Sequence, residues 1–313
     1  MEARLVARAS VHGVYDARIM PLAVWLIART PLPIAAALSW LLSWLWWTAI
    51  PVRKKLAVGN FRASLPALDP GPPLRQMLRG MVLGYFELFR ELHRPGTVTL
   101  AVDGVEEIVA RSRGGRPTLV LATHLGSYDL IGGLLVQRTG VPSTVVVKVP
   151  RAPALAALLE KVRTGYGLGI LANRRGSMAT IYELVARGEL VGFFLDQRLA
   201  RGIPVPFFGR PALTAPSLAV AAAKTGEDVY FLEYWREGVG RHGCRFHGPL
   251  PGTGTIEGDT AAYTMRIEEA IRRRPHSWLW LHDRWKGAPV PSVSASVPVG
   301  ELASAGAPAA PPA

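Results

Sequence analysis

From Thr118 onward, short apolar runs recur along the chain, and their length is what most constrains the fold. Residues 118–123 (TLVLAT), 143–149 (STVVVKV), 190–195 (LVGFFL), 229–235 (VYFLEYW) and 277–282 (SWLWLH) are rich in Val, Leu, Phe or Trp. Runs this short and this apolar, bounded by turn residues, read as strands buried on both faces. Around and between them lie helical stretches over roughly 74–92, 128–139, 153–165, 176–187, 214–225 and 258–273. Strand and helix in alternation predict an α/β fold with helices on both faces of the sheet. Arg187-Gly188-Glu189 reads as a helix stop and tight turn feeding the 190–195 strand.

Composition narrows the class. With 49% hydrophobic and 19% charged residues over 313 positions, the chain is too apolar to be disordered and too charged to be a polytopic membrane protein. One cysteine, Cys244, excludes an internal disulfide framework and any cysteine-based zinc finger. Lys and Arg total 36 against 23 Asp and Glu, a net charge of +13 that calls for an anionic partner. Anionic lipid and an acidic carrier protein both fit. Nucleic acid is not expected, because the basic residues are scattered and no nucleic-acid motif is present.

Residues 34–50 (IAAALSWLLSWLWWTAI) carry no charge and hold Trp40, Trp44, Trp46 and Trp47 toward one end. As a helix the run would reach about 25 Å, short of the ~30 Å hydrocarbon layer. Arg29, Pro31 and Pro33 break any extension upstream. The expectation is a hydrophobic membrane-anchoring helix, spanning or lying in the interface, with indoles at headgroup level. The run begins too late for a cleaved signal peptide. Arg53, Lys54, Lys55 and Arg62 follow it, and by the positive-inside tendency the domain after them is expected on the cytoplasmic side of the membrane. The expected organisation is an anchor with its flank over 1–52, an α/β domain over 53–286, and a disordered Ala/Pro-rich tail over 287–313.

Three blocks carry candidate chemistry. The 118–123 strand runs into Thr123-His124-Leu125-Gly126-Ser127-Tyr128-Asp129, placing His124 where open α/β sheets bind ligands. On a continuous helix Asp129 would sit about 140° further round, but Gly126 supplies a turn that can fold the two together. A carboxylate on one ring nitrogen would leave the other basic, the arrangement of a general base. The second block begins with Asp196-Gln197 at the end of the 190–195 strand. It continues through Pro206-Phe207-Phe208-Gly209-Arg210, which reads as a rigid proline-rich loop that either offers two rings beside a guanidinium to a ligand or caps the core, with a helix opening at Thr214. In the third, Trp278 to Lys286, strand period puts Trp278, Trp280, His282 and Arg284 on one face, with Arg284 and Lys286 placed either to bind phosphate or to stand as solvated charges at the strand end.

Two lookalikes are set aside. His242, Cys244 and His247 are close in sequence, but strand period points His247 away, so no metal is expected. Gly165, Gly167 and Gly169 precede a strand and do not open a helix after one, unlike a nucleotide loop. No G-x-S-x-G, P-loop or H-E-x-x-H occurs.

Taken in order, these blocks resemble the bacterial lipid A late (lauroyl and myristoyl) acyltransferases of the lysophospholipid acyltransferase superfamily. The resemblance runs from about Val52 to Lys286. It rests on Arg53 to Pro66 with its Asn60-Phe61 pair, and on His124 and Asp129 as the His-four-residues-acid (HX4D) motif. Asp196-Gln197, Pro206 to Arg210 and Trp280 to Lys286 complete it. The resemblance implies a glycerolipid-acyltransferase-like mixed sheet. It also implies an acyl chain moved from a carrier-protein or CoA thioester to a hydroxyl of a glycolipid or lipid A precursor, without cofactor. On that resemblance His124 is the base and Asp129 its orienting partner. Arg163, Asp196, Gln197, Phe207, Phe208, Arg210 and Arg284 are substrate-binding residues. Where the lipid A enzymes commonly read Gly-Asn-Trp-Glu, this chain reads Gly126-Ser127-Tyr128-Asp129. Aspartate there is usual in glycerolipid acyltransferases and in enzymes acylating phosphatidylinositol mannosides. A phosphatidylinositol-mannoside or lysophospholipid acyltransferase is therefore the alternative, beside a non-catalytic lipid-binding protein on the same fold.

Overall fold

Strand β2 (Thr118–Ala122) is buried at every position, and it lies at the middle of a seven-stranded sheet. The computed structural model describes residues 22–288 apart from Pro51, Arg151 and Arg175. The sheet order is β1-β9-β8-β2-β5-β3-β4, with β1 at Thr99–Asp103, β3 at Ser143–Val147, β4 at Gly169–Ala172, β5 at Leu190–Phe194, β8 at Val229–Gly238 and β9 at Arg241–His247. The β8–β9 pair is antiparallel and every other pair in this sheet is parallel, so β1 and β9 run against the remaining five strands. The fold is a mixed α/β sheet, parallel in its greater part and flanked by helices.

The path of the chain creates a crevice. From β2 it goes through α6 (Tyr128–Thr139) to β3, through α7 (Pro153–Gly165) to β4, and through α8 (Ser177–Ala186) back to β5 beside β2. It then crosses through α9 (Ser217–Thr225) to β8 on the other side of β2. Strand order thus reverses at the β2/β5 pair, and the carboxyl ends of two such strands are where an open sheet accepts ligands.

Four expected strands fall where the apolar runs placed them, and the fifth does not. Residues 277–282 form no strand; their one ladder contact is an isolated bridge between Leu125 and Trp278. Trp278 and Trp280 are both fully buried, and Trp280 N donates back to Trp278 O at 3.0 Å, so the chain turns tightly where a strand would extend. Asn60 Nδ2, on α3 (Lys54–Ser64), ties this segment down by donating to Trp280 O and His282 O.

A second correction concerns the proline-rich loop, which is a hairpin of β6 (Ile203–Phe207) and β7 (Arg210–Thr214). The connection is Phe208 at φ 50 and Gly209 at φ 69, a pair with the handedness of the tight turns that match strand twist. Phe208 accepts that conformation because its ring is buried and its N–H donates to Glu268 on α10 (Ile256–Arg273) at 2.5 Å. The prolines are tolerated because this sheet is only two strands wide. Thr214 accordingly ends β7, and α9 begins three residues later behind Pro216.

At the N-terminal end the uncharged run forms α2 (Leu32–Thr48), set at 116° to α1 (Leu22–Arg29). Among the described residues no single helix is long and apolar enough to cross a membrane, whereas this bent pair passes that test together. Ala35, Ser39, Ser43 and Trp46 recur at helical spacing and face α4 (Gly71–His93), where Ser43 Oγ donates to Arg75 O. Trp40 and Trp44 point the other way, 59% and 48% exposed. The N-terminal flank before Leu22 and the expected tail beyond residue 288 lie outside the described residues.

Candidate functional site

The register of the two central strands builds the site. Ala122 pairs with Phe194, so His124 and Asp196, each two residues past its strand, emerge side by side at the crevice. Asp196 Oδ1 lies 2.8 Å from His124 Nδ1, and Asp196 Oδ2 accepts from the His124 main-chain N–H at 2.7 Å. An ionised carboxylate only accepts, so Nδ1 carries a proton, and in the neutral form of the ring Nε2 keeps its lone pair. Burial by itself would raise the Asp196 pKa, but the His124 ring and amide and the indole of Trp278 outweigh it and hold the carboxyl below its ordinary value.

The ring of His124 is fixed from both sides. It packs against Phe194 at 4.6 Å and edge-on against Tyr128 at 4.7 Å between centroids. Behind it, the Tyr234 hydroxyl bonds both the N–H and the carbonyl of Thr123, locking the main chain as it leaves β2. Gly126, at φ 54, then turns the chain into α6, and its N–H donates to Ser277 O at 2.8 Å.

Asp129 is not the partner of His124. It faces Arg163 on α7, whose Nε donates to Asp129 Oδ1 at 2.9 Å with both side chains nearly buried. The two residues of the sequence motif therefore belong to different ion pairs, and Asp196, which the sequence placed among substrate-binding residues, supplies the carboxylate. The helical turn from Gly126 carries Asp129 away from the ring; strand pairing brings Asp196 to it.

Other expected binding residues are also placed differently. Phe207 and Phe208 are buried, and Phe207 stacks on Trp285 at 5.6 Å and meets Trp278 at 5.5 Å, so they support the site from inside. Arg210 lies 3.6 Å over Trp285 and donates to Ser64 Oγ, while burial lowers its pKa. Arg284 has no exposed surface. Its guanidinium bonds Leu213 O, Leu195 O and Thr214 Oγ1, bracing the end of β5 against the hairpin, and burial pulls its pKa down to about 10. It is an internal brace and not a phosphate ligand. Gln197 is half-buried beside Asp196. His242 and His247, the metal lookalikes, each sit 3.0 Å from a carboxylate of a different element, Glu87 and Glu233.

Two cavities meet at this point. One, with about 740 Å³ of atom-free space, lies between the sheet and helices α5 (Val105–Arg113) and α6, and Ile108, Val120, Leu135, Val145 and Phe194 make it overwhelmingly apolar. The other, about 990 Å³, opens in front of His124 and is bordered by Arg79, Arg236 and His276. Tyr128 lines both. Gly84 permits α4 to close over this region, since a β-carbon there would come within 2.7 Å of Ser127 Oγ. The His124 imidazole thus faces a partly polar opening and packs through Tyr128 and Phe194 against a greasy chamber, an arrangement that suits an apolar chain ending in a reactive carbonyl.

Residues 15–287 match the model of the family described as bacterial lipid A biosynthesis acyltransferase. Among curated relatives, the phosphatidylinositol mannoside acyltransferase of Mycobacterium tuberculosis (strain H37Rv) is 26% identical over 216 residues, 67% of this chain and 66% of that protein. The protein of the same description from Mycolicibacterium smegmatis is 24% identical over 241 residues, 72% of this chain and 79% of that one. The chain thus spans about two thirds of the length of the M. tuberculosis relative.

Proposed function

The chain belongs to the bacterial lipid A biosynthesis acyltransferase family, and from that premise we propose that it esterifies a glycolipid hydroxyl with a fatty acyl chain from a thioester, using His124 as the base and Asp196 as its orienting carboxylate. The observation that carries this reading is the 2.8 Å contact between a buried carboxylate and a histidine whose ring packs on Phe194 and Tyr128, two residues that line an apolar chamber. Acyl thioesters are already activated, so no covalent enzyme nucleophile is required. Nε2 of His124 removes the acceptor hydroxyl proton as the oxygen attacks the thioester carbonyl, and the imidazolium returns that proton to the departing thiolate. Ester and free thiol result, and Asp196 stabilises the imidazolium in between. Phe194 and Tyr128 line the chamber that holds the acyl chain, with Arg163 paired to Asp129 at its rim.

For the acceptor, relatives named as phosphatidylinositol mannoside acyltransferases favour a phosphatidylinositol mannoside over a lipid A precursor, in keeping with Asp129. The donor is an acyl carrier protein or CoA thioester. The α1–α2 pair, with Trp25, Trp40 and Trp44 exposed, serves as an interfacial anchor, and Arg53, Lys54, Lys55 and Arg62 beside it hold the cytoplasmic face of the inner membrane. A 17-residue helix reaching about 26 Å and meeting its neighbour at a sharp bend fits a position in the headgroup layer better than a crossing.

The test is acyl transfer by the purified protein in lipid vesicles, with labelled acyl-CoA or acyl carrier protein and either phosphatidylinositol mannosides or lipid A precursors, products being read by mass spectrometry. Ester formation lost in His124→Ala is expected. Lipid binding without transfer by the unaltered protein would replace the enzyme with a lipid-binding protein.

A further inference from the structure

The carboxylate of Asp196 has a third donor, and it comes from the far end of the chain. Trp278 Nε1 lies 2.9 Å from Asp196 Oδ2, the oxygen that also accepts the His124 amide. Both partners are buried, Asp196 at 1% and Trp278 at 1% exposure, so water is not available to replace this bond. From the hydrogen bond and its setting we propose that Trp278 is a positioning residue for acyl transfer, its indole N–H holding the Asp196 carboxylate in the plane that aims Oδ1 at the His124 ring. The inference rests on the reading of His124 as the base.

The indole is itself held rigidly. Its main chain bridges to Leu125, and Ser277 O accepts the Gly126 N–H, so the segment is stitched to the loop that carries His124. Its ring meets Trp280 at 4.8 Å and Phe207 at 5.5 Å, both nearly perpendicular, and these neighbours are fully buried. Six residues on, Arg284 donates to the carbonyl of Leu195, the residue just before Asp196. One C-terminal segment therefore grips both the side chain and the backbone of the carboxylate residue. Without the indole N–H, Oδ2 would be held only by the amide of the residue whose ring it must orient, and the carboxylate would be free to pivot about that bond.

The same geometry separates a positioning role from simple packing. Trp280 offers a control: it is equally buried, and its Nε1 donates to Pro275 O, away from the site. Replacing the indole by its benzothiophene isostere keeps ring size and stacking and removes only the N–H. At Trp278 this change is expected to lower kcat about tenfold or more while KM for donor and acceptor stays within about twofold, with a fall in melting temperature of the kind the same change causes at Trp280, where a buried hydrogen bond is lost as well. At Trp280 the same change should leave kcat unaltered. Trp278→Phe provides a second variant, expected to show the same split between kcat and KM. Unaltered kcat in the Trp278 isostere, or a loss that tracks melting temperature in both Trp278 variants, overturns the proposal. His124→Ala measured alongside keeps the two readings apart. Activity surviving there removes the acid–base scheme itself, whereas activity lost there but retained in the Trp278 isostere removes only the role of Trp278.

Discussion

At the scale of single residues, two aspartates compete for one histidine, and a matched pair of amides decides between them. Asp196→Asn puts a neutral amide 2.8 Å from Nδ1, where it neither stabilises an imidazolium nor enforces the tautomer, and kcat is expected to fall at least ~10²-fold. Asp129→Asn leaves that contact intact and instead strips Arg163 of its partner, so the expected result is a smaller loss in kcat with a poorer KM for the acyl donor. Steady-state kinetics of both variants check this, and the reverse ranking would restore Asp129 as the orienting carboxylate. His124 was legible in the sequence because a polar residue closing a fully apolar run stands out. Asp196 closes another such run, and its role was hidden because proximity in sequence favoured Asp129. Only the pairing of Ala122 with Phe194 makes Asp196 the neighbour.

Among elements, the segment after α10 shows where local pattern misleads. Alternating Trp and Leu has the period of a strand, yet both indoles are buried together, because the aromatic cluster and the donors from Asn60 outweigh a ladder that this segment never forms. The hairpin misleads in the opposite sense: its prolines argue against strands, and a two-stranded sheet has room for them. Within that C-terminal segment His282 Nε2 accepts the N–H of Arg198 at 2.9 Å, and burial drives its pKa from 6.5 down to about 4. The unfolded chain then binds this proton first. Stability from the neutral ring is complete above about pH 6.5 and drains away as pH falls toward 4. His282→Gln keeps an acceptor and cannot titrate, so the difference in unfolding free energy between the two proteins should shrink or change sign in favour of the variant across that window. Denaturant titrations at several pH values measure it, and a pH-independent difference would contradict it. A second joint is Glu87 on α4. It has no exposed surface and binds Arg236 and His242 of the β8–β9 pair, which overcome burial and keep its pKa below the ordinary value. Glu87→Gln strands the arginine and is expected to cost about 3 kcal/mol or more by denaturant unfolding.

For the whole molecule the question is how a chain of net charge +13 with a tryptophan-studded end meets its lipid. The α/β class and an apolar helix near the N-terminal end were both readable from composition and run length. The bend of 116° and the docking of α2 on α4 were not, since they depend on which face the small residues of α2 present to a partner 32 residues away in sequence. That docking has a consequence. Arg79 of α4 borders both the opening before His124 and a surface hollow beside Trp40 and Trp44, so on the proposed membrane placement a lipid leaving the headgroup layer would reach the site along one helix. On the proposed interfacial placement, two forces would hold the protein to a bilayer, and they separate by salt. The basic residues from Arg53 to Arg62 act through a field with a screening length of about 10 Å at 0.1 M salt and about 3 Å at 1 M. The indoles act through burial, which salt does not weaken. Binding to vesicles containing phosphatidylinositol should therefore drop on raising salt from 0.1 M to 1 M but persist at a residual level. Trp40→Ser with Trp44→Ser should abolish that residual and weaken low-salt binding by about tenfold or more. Because neither indole touches the His124 pair, the double variant should retain turnover on a detergent-dispersed acceptor. Co-flotation at both salt concentrations, beside a detergent assay, reads all three quantities, and full vesicle binding by the double variant would detach the α1–α2 pair from any role at the membrane.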